Sequence, residues 1–307
     1  MSQPYQAILL IAFGSPASAE EIRPFLARVT RGIAVQPERL EEVAHHYEAV
    51  GGKSPLNEIT FRQARALEDL LNQQDMPLPV YVGMRNSPPF FTDVLQRMAS
   101  DGVRRARGFI LSSHRTEASW ERYQKNIDDA RSELGGQTPE IDYCDGWHDH
   151  PLFIQTWVEL IEAAYRRIAT DRTPLIFTAH SLPLAMAERS PYVEQLNITA
   201  RLIAGQLGQS NWSLAYQSRS GKPTDSWLEP DVRDAIRKLA AERLQEIVVA
   251  PIGFVCDHVE VLYDLDIEAK NFAKNLGVNL VRASCPNDHP TFIRMIADVI
   301  ASADRAE

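Results

Sequence analysis

Short, uninterrupted apolar runs alternate along this chain with longer segments whose apolar residues recur every three or four positions. Runs at residues 7–13, 80–84, 107–112, 175–179, 212–217 and 247–255 have the continuous character of strands buried on both faces, as in parallel sheets. The intervening segments carry helical spacing. In residues 153–169, for example, Phe153, Trp157, Leu160, Ile161, Ala164 and Ile168 fall on one face. Alternating β and α elements predict an α/β fold of parallel sheets covered by helices on both sides.

The pattern also repeats. Ala12-Phe13-Gly14-Ser15-Pro16 closes the first strand as Ala179-His180-Ser181-Leu182-Pro183 closes a later one. Tyr81-Val82-Gly83-Met84-Arg85, with Pro88 and Asp93-Val94 after it, matches Ala215-Tyr216-Gln217-Ser218-Arg219, with Pro223 and Asp231-Val232. Residues 108–114 match 252–258, each predicted to end a strand in an exposed polar group, His114 and His258. Three matches in one order predict two similar α/β domains, residues 1–148 and 149–289, joined near the polar cluster at 146–151. The last helix, within 290–307, can pack on either domain and is provisionally grouped with the first. In such folds ligands lie outside the carboxyl ends of the strands. A cleft between the domains is therefore the expected site.

Composition narrows the partners. The 307 residues carry 32 Lys and Arg against 41 Asp and Glu, a formal net charge of -9, with no basic run. Such a surface repels phosphate backbones, so nucleic acid is excluded as a partner. Neither GxGxxG nor GxxxxGK[ST] occurs, so no nucleotide is expected. The apolar run at 7–13 is too short to span a membrane and lacks the basic lead of a secretion signal, which predicts a cytoplasmic protein without a transmembrane segment. Cys144, Cys256 and Cys285 form no CxxC pair, and three thiols are one short of an iron–sulfur ligand set. They read as small core hydrophobes.

The strongest chemical signal is Asp257-His258-Val259-Glu260-Val261-Leu262-Tyr263-Asp264-Leu265-Asp266-Ile267-Glu268. On an α-helix, Glu260, Asp264 and Glu268 fall within about 80° of arc along roughly 12 Å of axis. Their mutual repulsion costs a few tenths of a kcal/mol per pair. An acidic solvent face is the ordinary use of such a file; a line of hard oxygen ligands that passes a divalent cation is the other. His180 sits where a strand delivers a side chain to the ligand-binding edge. It is either a structural histidine or, with Glu260, a metal-binding or acid–base pair. A weaker cluster joins Arg31-Gly32, His46-Tyr47 and Gly51-Gly52-Lys53-Ser54-Pro55-Leu56, where tandem glycines could expose amides to an anion while Ser54 and His46 donate to it. Gly-Gly loops are ordinarily turns.

At these residues the chain resembles the ferrochelatases. The resemblance rests on Thr178-Ala179-His180-Ser181-Leu182-Pro183, Tyr216-Gln217-Ser218-Arg219 with Trp227-Leu228, Pro251-Ile252-Gly253-Phe254-Val255 leading into Asp257-His258-Val259-Glu260, and Gly51-Gly52-Lys53-Ser54-Pro55-Leu56. It covers essentially the whole chain. It implies two Rossmann-like, doubly wound domains without a nucleotide, and ferrous iron inserted as substrate into a porphyrin in the interdomain cleft. It further implies His180 and Glu260 at the metal and catalytic site, with Asp264 and Glu268 along the delivery path. Phe13, Thr30, Arg31, His46, Tyr47, Ser54 and Tyr123 are the implied porphyrin-binding positions, Ser54 and Tyr123 matching contacts of the coproporphyrin III-using branch. Phe13 stands where many relatives have an iron-ligating Tyr, and Thr30 and His46 stand where relatives have Arg. No tightly bound cofactor, iron–sulfur cluster or tail beyond Glu307 is expected. A monomer is expected, with transient contact to the next haem-pathway enzyme. The residue chemistry leaves a protoporphyrin IX enzyme, a cobalt or nickel tetrapyrrole chelatase, and a non-catalytic haem or metal binder as alternatives.

Overall fold

The computed structural model describes residues 5–32, 35–168, 173–220 and 225–302. Pro223 and the ends of two expected helices, Ala169 and residues 303–307, lie outside these.

The chain divides into two units. The first comprises Met1–Ser112, Glu117–Gly146 and Asp288–Glu307; the second comprises Ser113–Thr116 and Trp147–Asn287. The first holds strands β1 (Ala7–Ala12), β2 (Val80–Met84), β3 (Arg105–Ile110) and β4 (Glu140–Tyr143). The second holds β5 (Leu175–His180), β6 (Trp212–Gln217), β7 (Glu246–Ala250) and β8 (Asn279–Arg282). All pairings are parallel, in the orders β2-β1-β3-β4 and β6-β5-β7-β8. The two sheets thus share one topology, and six of the eight strands are those read from continuous apolar runs. Every residue of β1 is buried, which is why its run shows no alternation.

The repetition extends to local devices. Met84 N donates to Pro89 O and Tyr216 N to Pro230 O, both at 2.9 Å, and each turn delivers the chain into a helix, Phe91–Ser100 or Val232–Ala241. In the second of these Asp231 caps Arg233 N at 2.9 Å.

The core of the first unit joins Leu9 and Ile11 of β1 to Phe91, Leu95 and Met98, and to Trp120, Tyr123 and Ile127, in one cluster. The helix Pro290–Ser302 packs on Leu56–Gln73 and β3, burying Phe292, Ile293, Met295, Ile296 and Ile300. In the second unit Phe153 of the helix Pro151–Tyr165 meets Trp147 edge to face at 4.9 Å. Among the described residues no helix is long and apolar enough to cross a membrane. The three cysteines are buried, and none is in a disulfide.

His114 corrects the expectation of an exposed polar strand end. It is 2% exposed and belongs to the second unit. Thr199 Oγ1 donates to main-chain carbonyls, so His114 Nε2–H donates to Thr199 Oγ1 at 3.0 Å, and Nδ1 accepts from Ser113 Oγ at 2.8 Å. Burial pushes this imidazole down to about 3, so it is a neutral structural anchor.

Candidate active site

The second unit builds its site at the carboxyl end of its sheet. His180 is the last residue of β5 and pairs in register with Gln217, the last residue of β6. Its Nδ1 lies 2.5 Å from Ser181 O. A carbonyl only accepts, so Nδ1 carries the hydrogen and Nε2 of the neutral ring carries the lone pair. Three bonds hold this arrangement. Ser181 N donates to Gln217 O at 2.8 Å, Ser181 Oγ to Leu228 O at 3.0 Å, and Tyr192 OH to His180 O at 3.0 Å.

Nε2 faces Glu260 Oε1 at 3.8 Å, with the side chains 28% and 42% exposed. That separation exceeds a hydrogen bond, so both groups remain open to a third atom. Glu260 arrives after a tight loop. Gly253 runs so close to β5 that a Cβ there would stand 2.6 Å from Ala179 Cβ and 2.8 Å from Ala179 Cα. Only glycine allows that approach, which brings residues 254–260 back over the strand end. His258 then caps the short helix Val259–Tyr263, its Nδ1 accepting from Glu260 N at 3.2 Å, while its ring meets Phe254 at 4.8 Å. Burial holds the His258 ring below the usual imidazole range, consistent with an acceptor role.

The helix does not continue as a regular α-helix. Asp264–Ala269 is a π turn, followed by α-helix at Lys270–Asn275. In α register a four-residue step overshoots a turn by 40°. The wider π turn needs more than four residues, so the step from Asp264 to Glu268 undershoots and swings Glu268 back toward the line of Glu260. The three acids differ in setting. Glu260 is partly exposed, Asp264 is 9% exposed and accepts from Ser218 Oγ, and Glu268 is exposed. The file is therefore not a solvent face throughout: its middle acid, Asp264, is buried. Among the described residues no group of three or more His, Cys, Asp or Glu side chains is placed to hold a metal ion.

Behind the site, Arg282 of β8 makes paired bonds to Asp266 in the π turn, at 2.9 and 2.8 Å, and one to Asp257 at 2.7 Å. Asp257 also accepts from Asn287 Nδ2 and Cys285 N. Burial disfavours the Arg282 charge, but these carboxylates outweigh it and raise its pKa.

Against known proteins, the ferrochelatase family profile matches residues 5–304. The chain belongs to the ferrochelatase family. It is 40% identical to a ferrochelatase of Rhodopirellula baltica over 97% of this chain and 86% of that one. It is 43% identical to a coproporphyrin III ferrochelatase of Mycolicibacterium paratuberculosis over 96% and 87%. Among solved structures, SirB from Bacillus subtilis with Fe3+ shares the fold at TM-score 0.59 and 10% identity, over 98% of both chains. The α/β architecture expected from the resemblance is thus present.

The remaining candidates in this family member lie in its first unit. Phe13 is 37% exposed and meets Phe25 edge to face at 6.2 Å, and Phe25 meets Tyr47 at 6.1 Å. Asn86 fixes the Phe13 carbonyl through its main-chain and side-chain nitrogens, at 3.0 and 3.1 Å. Thr30 Oγ1 donates to Leu26 O at 2.8 Å, Arg31 is exposed and His46 is half-buried. Tyr47 and Tyr123 are buried. One anion-binding expectation is corrected. Gly51 N and Gly52 N donate to Glu48 O and Tyr47 O, closing the helix Pro37–Ala49, so their positive φ serves a helix end and their amides are occupied. Ser54 is 4% exposed, and its hydroxyl accepts from Leu56 N at 3.4 Å at the start of Leu56–Gln73. The sequence reading did not find Gln217, Ser218 or Arg282 as site-building residues. The Gln217-Ser218-Arg219 motif was a visible signal for the first two, while nothing local marked Arg282.

Proposed function

We propose that this chain catalyses insertion of ferrous iron into coproporphyrin III, with iron as substrate and no resident cofactor. The observation that carries the reading is the His180–Glu260 pair. A ring at the end of β5, fixed with its free lone pair outward, stands beside a carboxylate in the first turn of a helix, and both are partly exposed. Metallation must remove two pyrrole protons while a hydrated cation sheds water. His180 Nε2 accepts the pyrrole protons one at a time, passing the first to solvent before taking the second, and Glu260 meets the incoming cation and balances the imidazolium. Binding energy that bends the macrocycle exposes its nitrogens to that pair.

The coproporphyrin assignment is supported by relatives that carry that name at about 40% identity. Coproporphyrin has four propionates and protoporphyrin IX two, so a site that pairs donors with all four leaves some unpaired when vinyl groups replace them. At about 1–3 kcal/mol per lost partner, a preference of at least about tenfold in kcat/KM is expected. Anaerobic Fe(II) kinetics with both porphyrins test it, following the visible bands of the free base. Repeated turnover separates an enzyme from a stoichiometric binder, and equal or higher kcat/KM for protoporphyrin IX overturns the substrate assignment.

The graded acids give a second prediction. Asp264→Asn and Glu268→Gln are expected to raise the apparent KM for Fe(II) about three- to tenfold, with smaller changes in kcat. That is the scale of one solvent-screened charge contribution near 1 kcal/mol. Unchanged KM at both positions makes Asp264 a structural acceptor for Ser218 and Glu268 an ordinary surface acid, and a loss of kcat as severe as at Glu260 rejects a delivery path.

A further inference from the structure

We infer that Gln217 is the positioning residue that fixes the Glu260 carboxylate against His180, an inference that rests on the roles proposed above for those two side chains. Gln217 is 2% exposed at the end of β6 and bonds both segments that carry the pair. Its main-chain oxygen accepts from Ser181 N at 2.8 Å, next to the carbonyl that orients the His180 ring. Its side-chain Nε2 donates to Glu260 O at 3.0 Å. One residue therefore sets where both partners stand.

Glu260 needs such a tether. It sits in the first turn of a five-residue helix that gives way to a π turn, where the regular bonding ladder is interrupted. Its carbonyl accepts from Asp264 N within the helix and takes Gln217 Nε2 as a second donor, using both lone pairs. The next residue, Ser218, holds a positive φ of 63° and donates its hydroxyl to Asp264. The end of β6 thus grips the acid-bearing helix at two successive acids.

The chemistry of Gln217 indicates that stability is not what the amide supplies. Its Oε1 is buried and has no donor among the described residues, which is costly for a polar atom. An unbranched apolar side chain of similar length would fill the space without that orphan. What it could not do is donate to the Glu260 carbonyl.

Gln217→Met is the test, in the full-length protein with coproporphyrin III and Fe(II) under anaerobic conditions. Loss of the tether is expected to lower kcat about 10- to 100-fold, the scale of an ångström-sized misplacement at a reacting centre. Porphyrin Kd from fluorescence quenching should stay within about twofold, and Tm within about 3 °C because the orphan acceptor disappears with the lost bond. In a Glu260→Gln background the same change should alter the single-turnover rate by less than about twofold, since the charge being positioned is already gone. Gln217→Glu, which keeps the shape but cannot donate when ionised, must reproduce the kcat loss and guards against misfolding of the Met variant. Wild-type kcat in both variants, or an equal factor lost in both backgrounds, overturns the inference while leaving the catalytic pair intact. If His180→Ala and Glu260→Gln themselves retain more than about a tenth of wild-type kcat, the proposed roles fail and this inference fails with them.

Discussion

His180→Ala is expected to lower kcat for iron insertion by about 10²–10⁴-fold, the usual contribution of a positioned proton acceptor. Porphyrin affinity should change little, because most of the affinity of such ligands comes from apolar surface that alanine does not disturb. Glu260→Gln keeps shape and removes charge, so it should be comparably severe. The reason lies in the arrangement of the ring. Nδ1–H is committed to Ser181 O, so Nε2 is the nitrogen free to take a proton, and it already faces Glu260 at 3.8 Å. Stopped-flow spectra of the free-base and metallated bands measure the step directly. Retention of more than about a tenth of wild-type kcat, a loss under about 1.4 kcal/mol of transition-state stabilisation, would remove His180 from the chemical step.

The largest stability effect is expected at Arg282. Its side chain is 11% exposed and holds Asp257 and Asp266, which are 18% and 34% exposed. Arg282→Met keeps length and apolar bulk but strands two carboxylates. Removing one member of a buried ionic group costs about 3–5 kcal/mol; the partial exposure of Asp266 places this case near the lower figure. For a unit of this size the apparent Tm should fall by about 6–12 °C in calorimetry. Arg282→Lys should recover only part, since an ammonium cannot pair with Asp266 through two parallel bonds while reaching Asp257. A Met variant as stable as wild type would show that Asn287 and the Cys285 amide suffice for Asp257 and that solvent suffices for Asp266.

Legibility in the sequence followed burial. The inner strands β1, β3, β5 and β7 were readable because parallel strands covered on both faces leave unbroken apolar runs, and the edge strands β2 and β6 because their carboxyl-terminal halves are buried and mostly apolar. β4 and β8 were not, because Glu140–Tyr143 and Asn279–Arg282 are four-residue edge strands with polar residues at half their positions. His180 and Glu260 could be paired from sequence because each closes or follows a strand of the same half, and the carboxyl ends of parallel strands converge. Other features depend on tertiary context that spacing does not encode. A π turn looks like an α-helix in any local pattern, so the offset of Glu268 was hidden. Gly51-Gly52 reads equally as an anion loop or a helix stop until the carbonyls of Tyr47 and Glu48 claim the amides. His114 looked like a strand-end group because its partner Thr199 lies 85 positions away.

The helix Pro290–Ser302 closes the first unit although it follows every element of the second in the chain. During synthesis the strands β1 to β4 and the helix Leu56–Gln73 emerge long before the segment that covers them. Until the final helix arrives, the surface that receives Phe292, Ile296 and Ile300 is open to water and to other chains. The second unit, by contrast, has all of its sequence once Asn287 has been added, and it recruits residues 113–116 from chain made earlier. The order of completion therefore runs opposite to the order of translation. A released chain ending at residue 287 would hold every residue of the second unit and leave the first without the helix that covers it.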